Sequence, residues 1–469
     1  MSVRIRVPSI STAIGIPGSL CSTVFAWAIT IQAFADRFNE ALDPFLVPKE
    51  MSEGAESWRP GALPRIENNE TAPRGFEILE FSGRGPLSAL SCIMISPSSL
   101  TKELDWAEIT SDLSAWGEVP DPSSIEGIKI SEDSKGPIAH LRSKTDWVAE
   151  FLPWGSDGLL RKRVNSYPRS CDLPCGGYSW NGADIILIRK EEGKTPNSRE
   201  EISNALENEN KDKANDILRE CGRRLGTLHS HVEGTRVTPP DPKRWNSRLA
   251  GIEEALRAHS IWRVPYSRDS DCMLSIGDVR LEDFRGDAIR IGRPRLSDAM
   301  HPIDCGFPAI RDLASLVHDL SRLHYSSGTR IDIIGLRLSL IEGWRETAPS
   351  KWSSDNVFYS HRGGLAIWEY EQCLLDVTEA TSHQSGAPQP AVGLIEYIPS
   401  FQKRTFNNRT VGALSIMSGL FGISTLLGSY PLSMQETVMP SLCFIAALVL
   451  MRTYRGMSPP PEIPFNRLG

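Results

Sequence analysis

The sequence predicts an α+β protein in which a strand-rich region is followed by a larger helical region and then by two apolar helices. Short apolar and β-branched segments separated by turns occur up to Lys190. From Arg199 onward, apolar residues recur with helical spacing instead. Between Thr410 and Gln435 the sequence contains no Asp, Glu, Lys or Arg, which is typical of a membrane-spanning segment.

The bulk composition limits the class of protein. The chain has 469 residues, a net charge of −7, 40% hydrophobic residues and 23% charged residues. These values are typical of a folded protein with more than one structural unit, and they exclude a largely disordered chain. Because the sequence carries no basic block, we expect no nucleic-acid partner. The cysteines are scattered and odd in number, which does not favour a disulfide scaffold.

Two apolar segments predict a transmembrane hairpin within residues 410–455. Val411–Gly428 would be about 27 Å long as a helix, close to the thickness of the hydrocarbon core. After a short turn, Thr437–Met451 forms the second segment. We therefore expect the lipid bilayer to be a partner through 411–428 and 437–451, with Gly419 and Gly422 allowing close helix contact. A buried helical hairpin in a globular domain is the alternative.

The charges that flank the hairpin predict its orientation. Basic residues lie on the outer side of both apolar segments, and the connection between the segments carries only Glu436. Because Lys and Arg favour the cytoplasmic side, we expect a two-span protein of the cell membrane with both termini and the bulk of the chain in the cytoplasm. The basic residues are Lys403, Arg404, Arg409, Arg452 and Arg455.

Residues 1–75 are interpreted as an N-terminal helix and a linker. The apolar stretch Val24–Ile31 lies between basic residues and a small-residue site at positions 33–35, which is also the pattern of a cleaved signal peptide. An amphipathic helix from Ser22 to Phe38 accounts for the same residues. The predicted orientation of the hairpin favours the helix, because cleavage would place the folded part outside the cell.

The strand-rich region spans residues 76–195 and includes a polar, acidic insertion at 97–136, interpreted as a loop or a small helical excursion. The predicted strands are Phe76–Ser82, Ser88–Ser96, Trp147–Leu152 and Asp184–Arg189, with a helix at Asp157–Tyr167. The helical region spans residues 196–400. Its predicted helices lie in Arg199–His231, Trp245–His259, Ala309–Tyr325, Ile334–Thr347 and Gly364–Ala380, and short strands bracket Ser275–Asp298.

Four short motifs in the helical region follow one another in a recognisable order. They are Leu228-His229, Ser275–Asp283 (SIGDVRLED), Leu296–Ala299 (LSDA) and Ile310–Leu316 (IRDLASL). This order resembles the aminoglycoside phosphotransferase and choline kinase group of the protein-kinase-like superfamily, over roughly residues 76–380. The resemblance implies a two-lobed fold, with a small antiparallel-sheet lobe and a larger helical lobe, to which this chain adds the transmembrane hairpin.

The resemblance also implies ATP and Mg²⁺ as cofactors. Phosphoryl transfer requires an aspartate that orients the accepting hydroxyl, ligands that hold Mg²⁺, and a lysine that neutralises the nucleotide phosphates. Asp278 matches the hydroxyl-orienting residue, and Asp283 and Asp298 match the Mg²⁺ ligands. Gly83 and Gly85, in the first predicted hairpin, would let the phosphates approach the backbone. For each aspartate, a turn residue that caps the local backbone is the alternative.

The sequence departs from the family pattern at the position of the lysine. Glu150 lies there, in the strand Trp147–Leu152, and the following helix carries Arg161 where the family has a glutamate. A reversed pair could still hold the helix to the sheet, but a carboxylate repels phosphate groups. Arg161 could take the place of the lysine as a nucleotide-binding residue, whereas Lys144 and Lys162 fit that role less well.

These observations lead to three hypotheses. The first is a membrane-anchored cytosolic kinase-like domain that is a degenerate phosphotransferase, a pseudokinase, and binds a small molecule or a protein partner. The second is an active ATP- and Mg²⁺-dependent small-molecule kinase that phosphorylates a hydroxyl acceptor. The third is a non-enzymatic helical interaction protein at the membrane, without a kinase fold.

Overall fold

The computed structural model describes most of the chain from Arg65 to Met457. The described residues are 65–67, 72–81, 90–96, 99, 105–133, 135–156, 167–168, 171–191, 196–233, 242–256, 273, 276–293, 295, 307–354, 364–382, 386–428 and 437–457. The apolar N-terminal stretch and all but the last residue of the helix predicted at 157–167 lie outside these ranges.

The described strands form three sheets. They are β1 Arg65–Glu67, β2 Phe76–Phe81, β3 Leu90–Ile95, β4 Ser114–Gly117, β5 Gly127–Asp133, β6 Gly136–Arg142, β7 Trp147–Ser156, β8 Cys171–Asp172, β9 Gly176–Trp180, β10 Ala183–Lys190, β11 Phe284–Arg285 and β12 Ala288–Arg290. The main sheet has six antiparallel strands in the order β4-β9-β10-β7-β6-β5. A second sheet, β1-β2-β3, is also antiparallel, and β8 pairs in parallel with β12 in the third sheet. The predicted antiparallel-sheet region is therefore confirmed.

The segment at 97–136 differs from the interpretation made from the sequence. It begins with the short helix α1, Trp106–Thr110, which agrees with a helical excursion. However, β5 at its end pairs with β6 along its whole length and forms the edge of the main sheet. Only one face of an edge strand needs to be apolar, so its polar residues concealed the strand signal. The strand-rich region thus includes residues that the sequence placed in an insertion.

The helical region contains nine further described helices. They are α2 Ser198–Glu207, α3 Lys211–His231, α4 Pro242–Leu256, α5 Ala309–Ser327, α6 Ile333–Thr347, α7 Ser350–Ser353, α8 Leu365–Ser382, α9 Ala391–Gly428 and α10 Val438–Met457. The buried apolar side chains of α2–α8 and of the start of α9 form one core, and a second core lies under the main sheet, where Trp106 packs edge-on against Phe151 and Tyr178. A sheet region and a helical region with separate cores agree with the predicted fold class.

Helices α9 and α10 are the predicted hairpin. The structure describes two helices that are long and apolar enough to cross a membrane, Phe406–Leu427 and Val438–Gly456, with mean hydropathies of 1.7 and 1.3. Only 11% and 6% of these windows are buried. Leucines such as Leu427 are as much as 74% exposed. The alternative of a hairpin buried inside a globular domain is wrong, because its apolar side chains face outward.

Small residues hold α9 and α10 together. A Cβ atom added to Gly422 would lie 3.1 Å from Cβ of Cys443, and one added to Gly412 would lie 3.0 Å from the ring of Tyr454. Ser415 donates a hydrogen bond of 2.8 Å to the carbonyl oxygen of Ala447. The expected close contact at Gly422 is therefore confirmed, and the pairing shows that the two helices are antiparallel.

Candidate functional site

The loop that carries the predicted catalytic residue lies against the start of α5. Asp312, in the first turn of α5, accepts hydrogen bonds from the backbone N–H groups of Ile276, at 2.9 Å, and Gly277, at 3.1 Å. Gly277 has a φ of +96°, a conformation that favours glycine. Two turns further along, Asp319 accepts a hydrogen bond of 2.9 Å from the backbone N–H of Leu281. Two carboxylates of one helix therefore fix the loop at both ends.

Two of the sequence motifs meet behind this loop. His229, from the Leu-His motif at the end of α3, has its Nε2 atom 3.4 Å from Oδ2 of Asp312. Trp344 of α6 donates a hydrogen bond of 2.9 Å to Nδ1 of the same histidine. All three side chains are buried. The motif residues thus support the loop and do not face a substrate, a role that the sequence did not reveal.

Asp278, the predicted hydroxyl-orienting residue, is buried and bound to a cation. Its Oδ2 atom lies 2.9 Å from Nε of Arg280, and Ser315 donates a hydrogen bond of 3.3 Å to Oδ1. Burial alone would raise the pKa of Asp278, but Arg280 and Lys135 hold that pKa below its ordinary value. The carboxylate is ionised, and its charge is neutralised within the protein.

Asp283, a predicted metal ligand, is bound to Lys135. The Lys135 Nζ atom lies 2.8 Å from Oδ2 of Asp283 and donates a second hydrogen bond of 2.7 Å to the carbonyl oxygen of Asp278. The side chain of Lys135 is only 4% exposed. Burial raises the pKa of Asp283 to about 6, although Lys135 draws it down. The structure therefore brings Asp278 and Asp283 together around one ammonium group.

This arrangement does not fit a divalent metal. The Lys135 ammonium already lies on Oδ2 of Asp283, the side chain that the family resemblance assigns to Mg²⁺, and it also binds the carbonyl oxygen of Asp278. The described part of the chain contains no group of three or more His, Cys, Asp and Glu side chains that could hold a metal. The other predicted ligand, Asp298, lies outside the described residues.

Glu150, at the family's lysine position, is held by two arginines. It lies in β7 opposite Leu187, so that Arg189 of β10 is its diagonal neighbour on the same face of the sheet. The Glu150 carboxylate is 3.0 Å from Nε of Arg189 and 2.7 Å from Nη2 of Arg290. Burial opposes ionisation of Glu150, yet Arg189, Arg290 and Arg293 lower its pKa to about 2. This glutamate is therefore a buried carboxylate that is ionised at neutral pH and anchors two arginines.

The partners of Glu150 are not those expected from the sequence. Arg161, proposed as its reversed partner and as a nucleotide-binding residue, lies outside the described residues. Arg189 reaches further, and donates a hydrogen bond of 2.7 Å to the carbonyl oxygen of Asp172 and another to that of Ile291. One signal could have identified it: an arginine inside the apolar strand DIILIR implies a buried anionic partner.

Between these groups lies a small polar pocket. Its cationic residues are Lys135, Arg189, Arg290 and Arg293, and its acidic residues are Asp133, Glu150, Glu282 and Asp283. Arg293 pairs with Asp133 at the end of β5, next to Lys135. The free space is about 10 Å³, of the order needed for one water molecule. The pocket is thus filled by its own ion pairs.

A turn that the sequence did not single out enters this pocket. Gly83 and Gly85 lie outside the described residues, so their predicted role stays a prediction. The turn between β5 and β6 supplies Lys135 instead. Its single described glycine, Gly136, has a φ of +124°, which allows the tight reversal.

A buried Cys-His-Asp arrangement lies behind the site without being a nucleophile. The Cys373 Sγ atom is 3.8 Å from Nδ1 of His318, whose Nε2 atom is 2.7 Å from Oδ2 of Asp376. Cys373 is fully buried, and burial raises its thiol pKa well above the ordinary value. Because only the thiolate attacks, these residues have a structural role, which also includes holding Arg295 against Asp376.

Comparisons with known proteins give only low similarity. No family model and no curated protein matches the chain. Similar solved structures include a glucosamine kinase in complex with glucosamine, ADP and inorganic phosphate, which is 11% identical, with a TM-score of 0.40, covering 76% of this chain and 99% of that one. An ethanolamine kinase from Plasmodium vivax is 9% identical, with a TM-score of 0.34, covering 60% of this chain and 83% of that one. Similarity at this level assigns no activity to this chain.

Proposed function

We propose that this chain is a membrane-anchored, kinase-like pseudokinase whose nucleotide cleft is closed by its own ion pairs. The observation that carries the proposal is the position of Lys135. Its ammonium group lies on Asp283, which the family resemblance makes a metal ligand, and on the backbone of Asp278, which the resemblance makes the hydroxyl-orienting residue. A tethered cation at this point neutralises the carboxylate oxygen of Asp283 that Mg²⁺ would otherwise bind.

The charge at Glu150 supports the same conclusion. A nucleotide carries its negative charge on the phosphates, and a buried carboxylate repels them by about 4 kcal/mol at 4 Å near a protein surface. The cations beside it are already committed to protein carboxylates, Arg189 and Arg290 to Glu150 and Arg293 to Asp133. Opening one buried ion pair to admit MgATP would cost about 3–5 kcal/mol, which weakens binding by a hundredfold or more.

The hairpin α9–α10 would anchor this domain in the bilayer. The exposed apolar faces of Phe406–Leu427 and Val438–Gly456 support this part of the proposal. The basic flanks favour a cytoplasmic position for the domain and for both termini. A domain without phosphoryl transfer would then act at the membrane surface by binding a protein or small-molecule partner outside the closed cleft.

The test is a nucleotide titration of the full-length chain in nanodiscs. We expect no thermal stabilisation by ATP with Mg²⁺ up to millimolar concentrations and no ATP consumption above the background of an Asp278→Asn variant. Micromolar nucleotide binding together with turnover that this variant abolishes would overturn the proposal.

The second candidate is an active small-molecule kinase, and one observation favours it. Asp278 and Asp283 lie on the same loop and both contact Lys135, so a rearranged Lys135 would leave two oxygen ligands side by side. This candidate requires turnover by the wild-type chain with a hydroxyl acceptor such as an amino sugar or amino alcohol. The same titration separates it from the pseudokinase, because only an active enzyme loses ATP consumption when Asp278 is replaced.

A further inference from the structure

The membrane hairpin carries a cluster of basic residues at one end only. Gly412 of α9 lies beside Tyr454 of α10, and Gly422 lies beside Cys443, so the helices run antiparallel with a fixed register. The end of α9 before Gly412 therefore lies beside the end of α10 after Tyr454. The basic residues of both helices fall at this shared end: Lys403, Arg404, Arg409, Arg452 and Arg455. We call these five residues the basic collar.

The described side chains of the collar are exposed, and the sequence places no acidic residue close to them. Arg409, Arg452 and Arg455 are exposed, and among the described residues none of them forms an ion pair. The sequence contains no Asp or Glu from 397 to 435 or from 437 to 461. The charges of Arg409, Arg452 and Arg455 are thus not neutralised by an ion pair within the described residues. A partner that supplies anions is expected.

The position of the collar identifies that partner. From Arg409 to Gly428, α9 is about 28 Å long, which matches the hydrocarbon core, and large apolar side chains from Ile416 to Leu427 are exposed on this segment. The collar therefore lies at the level of the lipid headgroups when the apolar faces are in the bilayer. At this depth the abundant anions are phospholipid phosphates and carboxylates.

The same helix fixes the folded domain above the collar. Ala391 and Leu394, in the first turns of α9, are buried in the core of the helical region. The helix continues without interruption to Gly428, so no flexible linker separates this core from the collar. From Ala391 to Lys403 the helix rises only about 18 Å. Contacts of the collar with lipids would therefore hold the domain close to the membrane surface.

We infer that the basic collar binds anionic phospholipid headgroups and so docks the domain on the membrane surface, an inference that rests on the proposed membrane hairpin. Electrostatic attraction of this kind contributes about a fivefold gain in association for each Lys or Arg at the surface, and salt screens it.

The test uses the full-length chain reconstituted in phosphatidylcholine liposomes that contain spin-labelled phosphatidylserine or spin-labelled phosphatidylcholine. We expect the fraction of lipid whose motion the protein restricts to be severalfold larger for phosphatidylserine than for phosphatidylcholine. We expect 1 M NaCl to reduce this difference. The variant R409Q/R452Q/R455Q should lose most of this preference, whereas R409K/R452K/R455K should keep it. Arg330→Gln, at an exposed arginine of the helical region, is the control outside the hairpin.

The outcomes separate the inference from the proposal beneath it. Extraction of the wild-type protein by alkaline carbonate would show that the hairpin does not insert, which overturns the membrane anchor and the collar together. If the protein resists carbonate extraction but restricts the motion of the two spin-labelled lipids equally, the inference about lipid binding by the collar is wrong and the membrane anchor stands. A preference that survives in the glutamine variant, or that free glycerophosphoserine abolishes at millimolar concentration, would also overturn lipid docking by these arginines.

Discussion

Lys135 and Asp283 form a buried ion pair of 2.8 Å between the tip of the β5–β6 hairpin and the loop that precedes β11. The pair joins the sheet region to the helical region at the edge of the polar pocket. The second hydrogen bond of Lys135, to the backbone of Asp278, fixes the loop itself as well as the carboxylate. The tip of the hairpin therefore holds this loop in place, and in the proposed function it closes the nucleotide cleft.

Replacement of Lys135 should destabilise the protein through Asp283. Lys135→Met keeps most of the side-chain volume but leaves a buried carboxylate without its cation, and we expect a loss of about 3–5 kcal/mol in the free energy of unfolding at pH 7. Lys129→Met, at an exposed lysine of β5, should change the free energy of unfolding by less than about 0.5 kcal/mol. Chemical denaturation of the variants in nanodiscs measures both.

The double variant K135M/D283N shows whether the loss comes from the unpaired charge. Because it removes both charges, it should recover more than half of the stability lost by Lys135→Met. If Lys135→Met proves as mild as Lys129→Met, Lys135 does not close the cleft.

The sequence predicted the elements of the fold better than the contacts of the site. The apolar strands, the long helices and the hairpin are marked by periodicity, and Glu150 was identified as a departure at the lysine position. Lys135 and Asp283, in contrast, are 148 residues apart, and each lies in a polar segment where charged residues are usually exposed. Only the folding of β5 onto the sheet edge brings Lys135 into the cleft.

The arginine partners of Glu150 show a second limit. Arg189 has a sequence signal, because it interrupts an apolar strand, but Arg290 and Arg293 lie in a short strand and a loop without periodicity. The family resemblance predicts a partner for residue 150 on the helix after β7. The cations that surround Glu150 come instead from β10, from β12 and from the segment after β12, and no local sequence pattern connects these segments.

Restoring the family's lysine should not restore nucleotide binding. In Glu150→Lys, a cation would lie within contact of Arg189 and Arg290, both of them buried, so we expect a loss of stability larger than the roughly 3–5 kcal/mol expected for Glu150→Gln. Glu132→Lys, at an exposed glutamate of β5, should be nearly neutral and serves as the control. Thermal shifts with and without MgATP measure stability and binding together. A folded Glu150→Lys protein that binds MgATP would contradict the role assigned to Glu150.

The shifted carboxylates predict opposite effects of pH on stability. The pKa of Asp283 is raised to about 6 from 3.8, so the folded protein retains a proton that the unfolded chain releases. The contribution of this bound proton to the free energy of unfolding is lost as pH rises from about 4 to about 6. The pKa of Glu150 is lowered to about 2 from 4.5. The contribution of the Glu150 carboxylate to the free energy of unfolding is therefore present above about pH 4.5 and is lost as pH falls toward 2. The difference in free energy of unfolding between wild type and Asp283→Asn should therefore change between pH 4 and 6, by about 3 kcal/mol at most.

Glu150→Gln provides the matched comparison for this pH dependence. The difference in free energy of unfolding between this variant and wild type should stay constant from pH 5 to 7 and become smaller below about pH 4.5. Denaturant unfolding at intervals of half a pH unit measures both curves. Parallel curves for Asp283→Asn and wild type across pH 4–6 would show that Asp283 does not retain the proton.

The crossing of α3 and α6 predicts a glycine that cannot be replaced. A Cβ atom at Gly343 would lie 2.1 Å from the carbonyl oxygen of Arg219, so Gly343→Ala must separate the helices, and we expect a loss of about 3 kcal/mol. Gly335, on the same helix, has its nearest neighbour at 3.6 Å, so Gly335→Ala should be neutral or stabilising by up to about 1 kcal/mol. Melting temperatures of the two variants test this contrast. Equal effects at the two positions would mean that α3 and α6 do not approach as closely as described.

The exposed face of α9 predicts how the hairpin responds to charge. Ile416 is 59% exposed and lies near the middle of Phe406–Leu427, so an arginine there would be placed at the centre of the bilayer. Ile416→Arg should make insertion less favourable by about 3 kcal/mol. Leu338→Arg, at an exposed leucine of α6, introduces the same charge outside the hairpin and should leave insertion unchanged. The measurement is the carbonate-resistant fraction after synthesis in the presence of membranes. If both variants remain as resistant as wild type, the face of α9 that carries Ile416 does not contact lipid.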